Sequence, residues 1–109
     1  MSDESQRSLA RNEVLFRDTN EAIERGQWPG DRDKRVRFRC ECSHMDCGEA
    51  VEITLGEYEQ LRSEPRRFLV SPGHETPEIE TVISRAPGHV IVEKQDGAGE
   101  AAQALDPRS

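Results

Sequence analysis

RCECSHMDCGE, residues 39–49, holds every cysteine of the chain: Cys40, Cys42 and Cys47. An odd number of thiols cannot close in pairs, so the C-x-C-x4-C spacing reads as a metal loop before it reads as a disulfide framework. Zinc suits it, because thiolates are soft ligands and a tetrahedral ion tolerates a tight loop. Cys40 and Cys42 stand two apart on an extended segment and leave by the same face. The chain must then curl after Cys42 to bring the third sulfur round, and Ser43, His44, Asp46 and Gly48 permit such a turn.

Three thiols leave one coordination place. His74 is the first candidate, since it follows Pro72-Gly73, a rigid turn that would fix its direction. His44 is the alternative fourth ligand and lies inside the loop, although one tight loop rarely presents four groups tetrahedrally. His89, Asp46 or a water molecule remain as further choices. A site of three thiolates and one imidazole on Zn2+ would carry about one negative charge, which Arg37 or Arg39 beside it can offset.

The rest of the composition explains why a metal would matter. Only 33% of the 109 residues are hydrophobic and 5% aromatic, against 34% charged, so the core has little material to work with. Small domains in that position commonly rely on a metal or on disulfides. The net charge of −7 argues against a dedicated nucleic-acid binder. The cations are nevertheless clustered: Arg32, Lys34, Arg35, Arg37 and Arg39 fall within residues 32–39. No apolar run is long enough to span a membrane, and the first residues carry no apolar signal segment. The expected compartment is therefore the cytosol, where thiols stay reduced.

Working outward from the cysteines, residues 35–39 alternate, with Val36 and Phe38 on one face and three arginines on the other, which predicts a half-exposed strand. AVEIT predicts a second strand. Thr54 and Glu57 form a T-x-x-E capping box opening a helix that carries Leu55, Tyr58 and Leu61. RRFLVS predicts a third strand. Thr76 as N-cap with Pro77 after it predicts a short helix carrying Ile79, Val82 and Ile83. HVIVEK predicts the last strand. On the N-terminal side, Leu9, Phe16 and Ile23 recur at sevens, a helical stripe that either packs on the central sheet or docks a partner.

The expected fold is therefore α+β. An N-terminal amphipathic helix (8–26) follows a disordered start (1–7), and a linker (27–34) leads to a metal-stapled domain (35–94). That domain has a small, mainly antiparallel sheet with two short helices in the order β-β-α-β-α-β, and residues 95–109 read as a flexible tail.

The run FRCEC…C…VEITLGEYEQLRSEPRRFLVSPGHE…VIVEK, together with the RNE…LFR helix, resembles a family of small, largely uncharacterised proteins from high-GC Gram-positive bacteria. The similarity covers roughly residues 10–95. It implies that Cys40, Cys42, Cys47 and His74 form a Cys3His set, and it implies no particular activity. Where the family has an aromatic residue this chain has His89, which lowers the case for that histidine as a ligand.

No Ser-His-Asp order, phosphate-binding glycine loop or carboxylate pair stands out, so a catalyst is not expected. A zinc hydrolase would need water in the fourth place and a base such as Glu41, Glu49 or Glu75. The expected function is a structural zinc module in a non-catalytic interaction or regulatory role, with an unidentified protein partner, as a monomer or weak homodimer. The alternatives are a thiol redox sensor that releases zinc on oxidation, and nucleic-acid contact through residues 32–39.

Overall fold

The computed structural model describes residues 3–27, 30–42, 44 and 47–108, with side chains in the first helix from Glu13 onward. Helix α1 (Asp3–Gln27) leads into β1 (Arg35–Arg39) and β2 (Ala50–Thr54); α2 (Leu55–Arg62) and β3 (Arg67–Val70) follow, then β4 (Glu80–Ala86), β5 (His89–Lys94) and α3 (Asp96–Ala104). The fold is α+β, with two small antiparallel sheets: the ribbon β1-β2 and a three-stranded sheet in the order β3-β5-β4.

The ribbon forms in the expected register, Val36 opposite Ile53 and Phe38 opposite Val51, so all four apolar side chains share the buried face. The capping box is present in both directions: Glu57 N–H donates to Thr54 Oγ1 (3.1 Å), and Thr54 N–H donates to Glu57 Oε1 (2.8 Å). It starts α2 directly where β2 ends, which carries Tyr58 onto Phe38; the rings stack with centroids 4.3 Å apart. Phe68, Leu69 and Val70 of β3 and Val90 and Val92 of β5 complete one continuous core with these residues and the three cysteines.

Four expectations need correction. Residues 76–83 do not form a helix. They turn into β4, whose β-branched Thr81, Val82 and Ile83 suit a strand, and the turn at Pro87-Gly88 pairs it back onto β5. Gly88 there has φ of 92°, a value that side-chain-bearing residues rarely adopt. The β4–β5 register shifts between Val82 and Ser84, and this irregularity leaves Ile83 exposed.

Residues 95–109 are not a tail, because α3 packs along α1. Its buried residues are Gly97, Ala98, Gly99, Ala101 and Ala102, too small to give an apolar stripe that a sequence pattern would reveal. The single sheet is two sheets. Finally, the first helix starts earlier than residue 8, runs through Gly26, and belongs to the domain body, touching α3 and β1.

That helix buries an unexpected face. Phe16 is buried and Ile23 half-buried against the core, so two members of the 9–16–23 stripe pack inward; the side chain of Leu9 lies outside the described residues. Glu13, Arg17, Asn20, Glu21 and Glu24 are buried too. Each meets a polar partner from elsewhere. Arg17 donates to Pro65 O (2.9 Å) and Ala102 O (3.0 Å), tying α1 to the turn between α2 and β3 and to α3. Arg62 donates to Glu21 (2.6 Å), and Glu13 encloses the Lys94 ammonium together with Glu80. Burial raises the Glu13 carboxyl and lowers the Lys94 ammonium from their ordinary values, with the attraction between them opposing both shifts.

Candidate metal centre

The cysteine loop bridges the two sheets. Cys40 N–H donates to Glu49 O (3.0 Å) and prolongs the β1-β2 ladder by one pair, while the next amide, Glu41 N–H, donates to Leu69 O (2.7 Å) of β3. One residue thus carries the chain from the ribbon to the edge of the other sheet. Cys40 Sγ accepts the amide of Ser71, just past β3 (3.1 Å). From Ser71 the chain turns through Pro72-Gly73, closed by His74 N–H to Ser71 O (3.0 Å), with Gly73 at φ of 87°. Proline second and left-handed glycine third make a type II turn, which delivers His74 back over the thiols.

The ligand atoms of Cys40, Cys42, Cys47 and His74 all lie within 4.8 Å of one another. His74 Nδ1 stands 3.6 Å from both Cys40 Sγ and Cys47 Sγ. A zinc tetrahedron with bonds of about 2.0–2.3 Å has edges of roughly 3.5–3.8 Å, so the two imidazole–sulfur separations match such edges. The donor set, three sulfurs and one imidazole nitrogen, is one that soft or borderline metals accept. All three cysteines are free and buried, Cys47 the least so at 8% exposed. Burial pushes the Cys40 thiol up and the Cys42 thiol up to about 12, so without a cation nearby these groups stay protonated.

His44, the local alternative, is exposed and stands outside the group; its backbone carbonyl accepts Cys47 N–H (3.0 Å) and its backbone also hydrogen-bonds the Cys42 sulfur. His89 opens β5 and lines a cleft of about 380 Å³ with Leu61, Arg67 and Ile83, which shares no residue with the metal group. Asp46 lies outside the described residues. Of the two arginines expected beside the metal, Arg39 reaches the loop: it donates to Cys47 O (2.9 Å) while its guanidinium lies 3.9 Å over the Phe16 ring. Arg37 instead points to solvent opposite Glu52 in the ribbon.

Glu41 carries a role that the motif did not reveal. It is fully buried, and its carboxylate accepts from Asn20 Nδ2 (2.7 Å) of α1, Tyr58 Oη (3.0 Å) of α2 and Leu69 N (2.9 Å) of β3. Asn20 also brackets the backbone of Arg39, accepting from its N–H and donating to its carbonyl, both at 2.7 Å. The signal was the strand alternation itself. If Cys40 and Cys42 face the metal, the residue between them faces the other way, into the core. Glu75, the acid beside His74, is held by Gly73 N–H (2.8 Å) and Arg85 (2.7 Å). Among the described residues no helix is long and apolar enough to cross a membrane. No family model matches this chain, and no curated protein or solved structure does.

Proposed function

We propose that this is a zinc-stapled module in which Cys40, Cys42, Cys47 and His74 hold a structural Zn2+, serving a non-catalytic interaction or regulatory role toward another protein. One observation carries the metal reading: three thiols from one loop and an imidazole from a distant turn converge within 4.8 Å of one another, with His74 Nδ1 3.6 Å from two of the sulfurs. A structural site is closed by four protein ligands, whereas a catalytic zinc keeps a place for water. The four converging donors favour the closed kind. In finger peptides such a site contributes on the order of 10–16 kcal/mol, more than a core of this size supplies.

Zinc analysis of the purified protein with paired melts tests the reading. Chelation, or Cys42→Ser, is expected to lower the unfolding midpoint by at least about 10 °C. An unchanged transition rules the staple out.

The redox-sensor alternative draws support from Cys47, the least buried of the three thiols, lying next to the partly exposed His74. It requires zinc release at physiological peroxide doses, and a site that keeps its metal there is a scaffold. Nucleic-acid contact is less favoured. Arg35 is paired with Glu52 (2.7 Å), Lys34 donates to Gln27, and Arg39 is committed to Phe16 and the cysteine loop.

A further inference from the structure

We propose that Glu49 is the positioning residue of the metal centre: its carboxylate holds the outer nitrogen of His74 and so presents Nδ1 to the ion. This rests on the Cys3His reading above and adds to it a residue outside the ligand set. The imidazole is flanked on both edges. Nδ1 faces Cys40 Sγ and Cys47 Sγ at 3.6 Å, and Nε2 lies 3.2 Å from Glu49 Oε2.

A ligating imidazole is neutral and binds through one nitrogen, so its other nitrogen carries a proton that needs an acceptor. A carboxylate there selects the tautomer, fixes the ring and raises its basicity. Glu49 is well anchored for this, since its own carbonyl accepts the amide of Cys40, the first ligand. The acceptor thus stands just before β2, across the ribbon end from Cys40 and against the imidazole it holds. Glu75 does not compete, because Gly73 N–H and Arg85 already hold its carboxylate.

Position also assigns the contact a kinetic role. The side chain of His74 is 26% exposed and that of Glu49 57%, while Cys40 and Cys42 are sealed. The imidazole is therefore the ligand on the solvent side, where an ion or a competing chelator arrives. Glu49 acts as a latch on that side: with it in place the ring stays over the thiols, and without it the ring swings free and the ion leaves sooner.

The test uses the zinc-loaded full chain, with affinity from competition against a chromophoric chelator and release followed by stopped flow. Glu49→Ala is expected to weaken zinc binding about tenfold, the low end for such partners given its exposure, with most of the change in the release rate. Glu49→Gln, whose amide oxygen still accepts the Nε2 proton, is expected to stay within about threefold of wild type. Long-range proton–nitrogen spectra of the zinc form should show His74 metallated at Nδ1 and protonated at Nε2. If Glu49→Ala matches wild type, if both variants lose equally, or if Nε2 proves to be the metal-bound nitrogen, the positioning role is overturned while the Cys3His site stands. If the wild type takes up no zinc, or His74→Ala binds it as tightly as wild type, the Cys3His reading falls and the role of Glu49 with it.

Discussion

Glu41 shows how one side chain ties the cysteine loop to the fold. An ionisable group with no exposed surface is costly unless its hydrogen bonds are complete. Here three donors from three elements converge on one carboxylate. Burial pushes its carboxyl above the ordinary range, and the three donors pull against that shift. Truncation leaves the Leu69 N–H and the Tyr58 hydroxyl stranded in the interior and Asn20 Nδ2 with Arg39 O as its remaining acceptor. Glu41→Ala should therefore cost about 3 kcal/mol or more in denaturant melts of the zinc-loaded protein. Glu41→Gln should cost roughly half as much, since an amide oxygen still accepts while its NH2 meets a donor. A loss within about 0.5 kcal/mol for Glu41→Ala would mean that the network contributes nothing net.

At the level of elements, the long first helix and the short last one depend on each other. The helix α1 buries charged side chains, and α3 with the residues after it supplies several of their partners: Ala102 O for Arg17, Asp106 for Arg62, which also holds Glu21, and Arg108 for Glu21 and Glu59. The last helix also lies close against the end of β5 and the residue before β3. A Cβ on Gly99 would stand 2.7 Å from Lys94 O and 2.6 Å from the Arg66 guanidinium, so only glycine fits there. Deleting residues 96–109 should destabilise the protein by about 4 kcal/mol or more, because Arg17 and Arg62 keep their charges in the interior without these partners. Hydrogen exchange would then quicken in α1 first. Equal protection of α1 in the truncated and full chains would show that α3 is dispensable.

Across the whole molecule, the cysteine loop and the turn bearing His74 meet where the ribbon and the three-stranded sheet abut, so a metal there would clip the two sheets at the edge of their shared core. The pH dependence follows from the thiols. Burial holds the Cys40 thiol above its ordinary value and Cys42 at about 12, so the metal-free fold binds these protons at neutral pH. Binding expels them, and affinity therefore rises with pH and is lost as pH falls. Zinc affinity measured between pH 6 and 8 should strengthen by one to about three decades per pH unit, according to how many thiol protons leave. A flat profile would exclude thiolate coordination.

The alternation in residues 35–39, the T-x-x-E box, the apolar strands and the clustered cysteines were legible because each is a local pattern whose period or spacing matches one structure. The C-terminal helix was not, since glycine and alanine leave no periodic apolar signal and are chosen there for close approach. Nor was β4, where a plausible helix start was overruled by pairing with β5. From sequence alone the chain could be assigned an α+β fold with little apolar material and three clustered thiols able to hold a metal. Tertiary contacts brought His74, already the first candidate, to the thiols and left His44 outside, placed Arg39 rather than Arg37 at the loop, and turned the charged face of α1 inward. Those choices depend on which distant groups arrive at the same point, because the environment of a polar side chain is set by its neighbours in space and not along the chain.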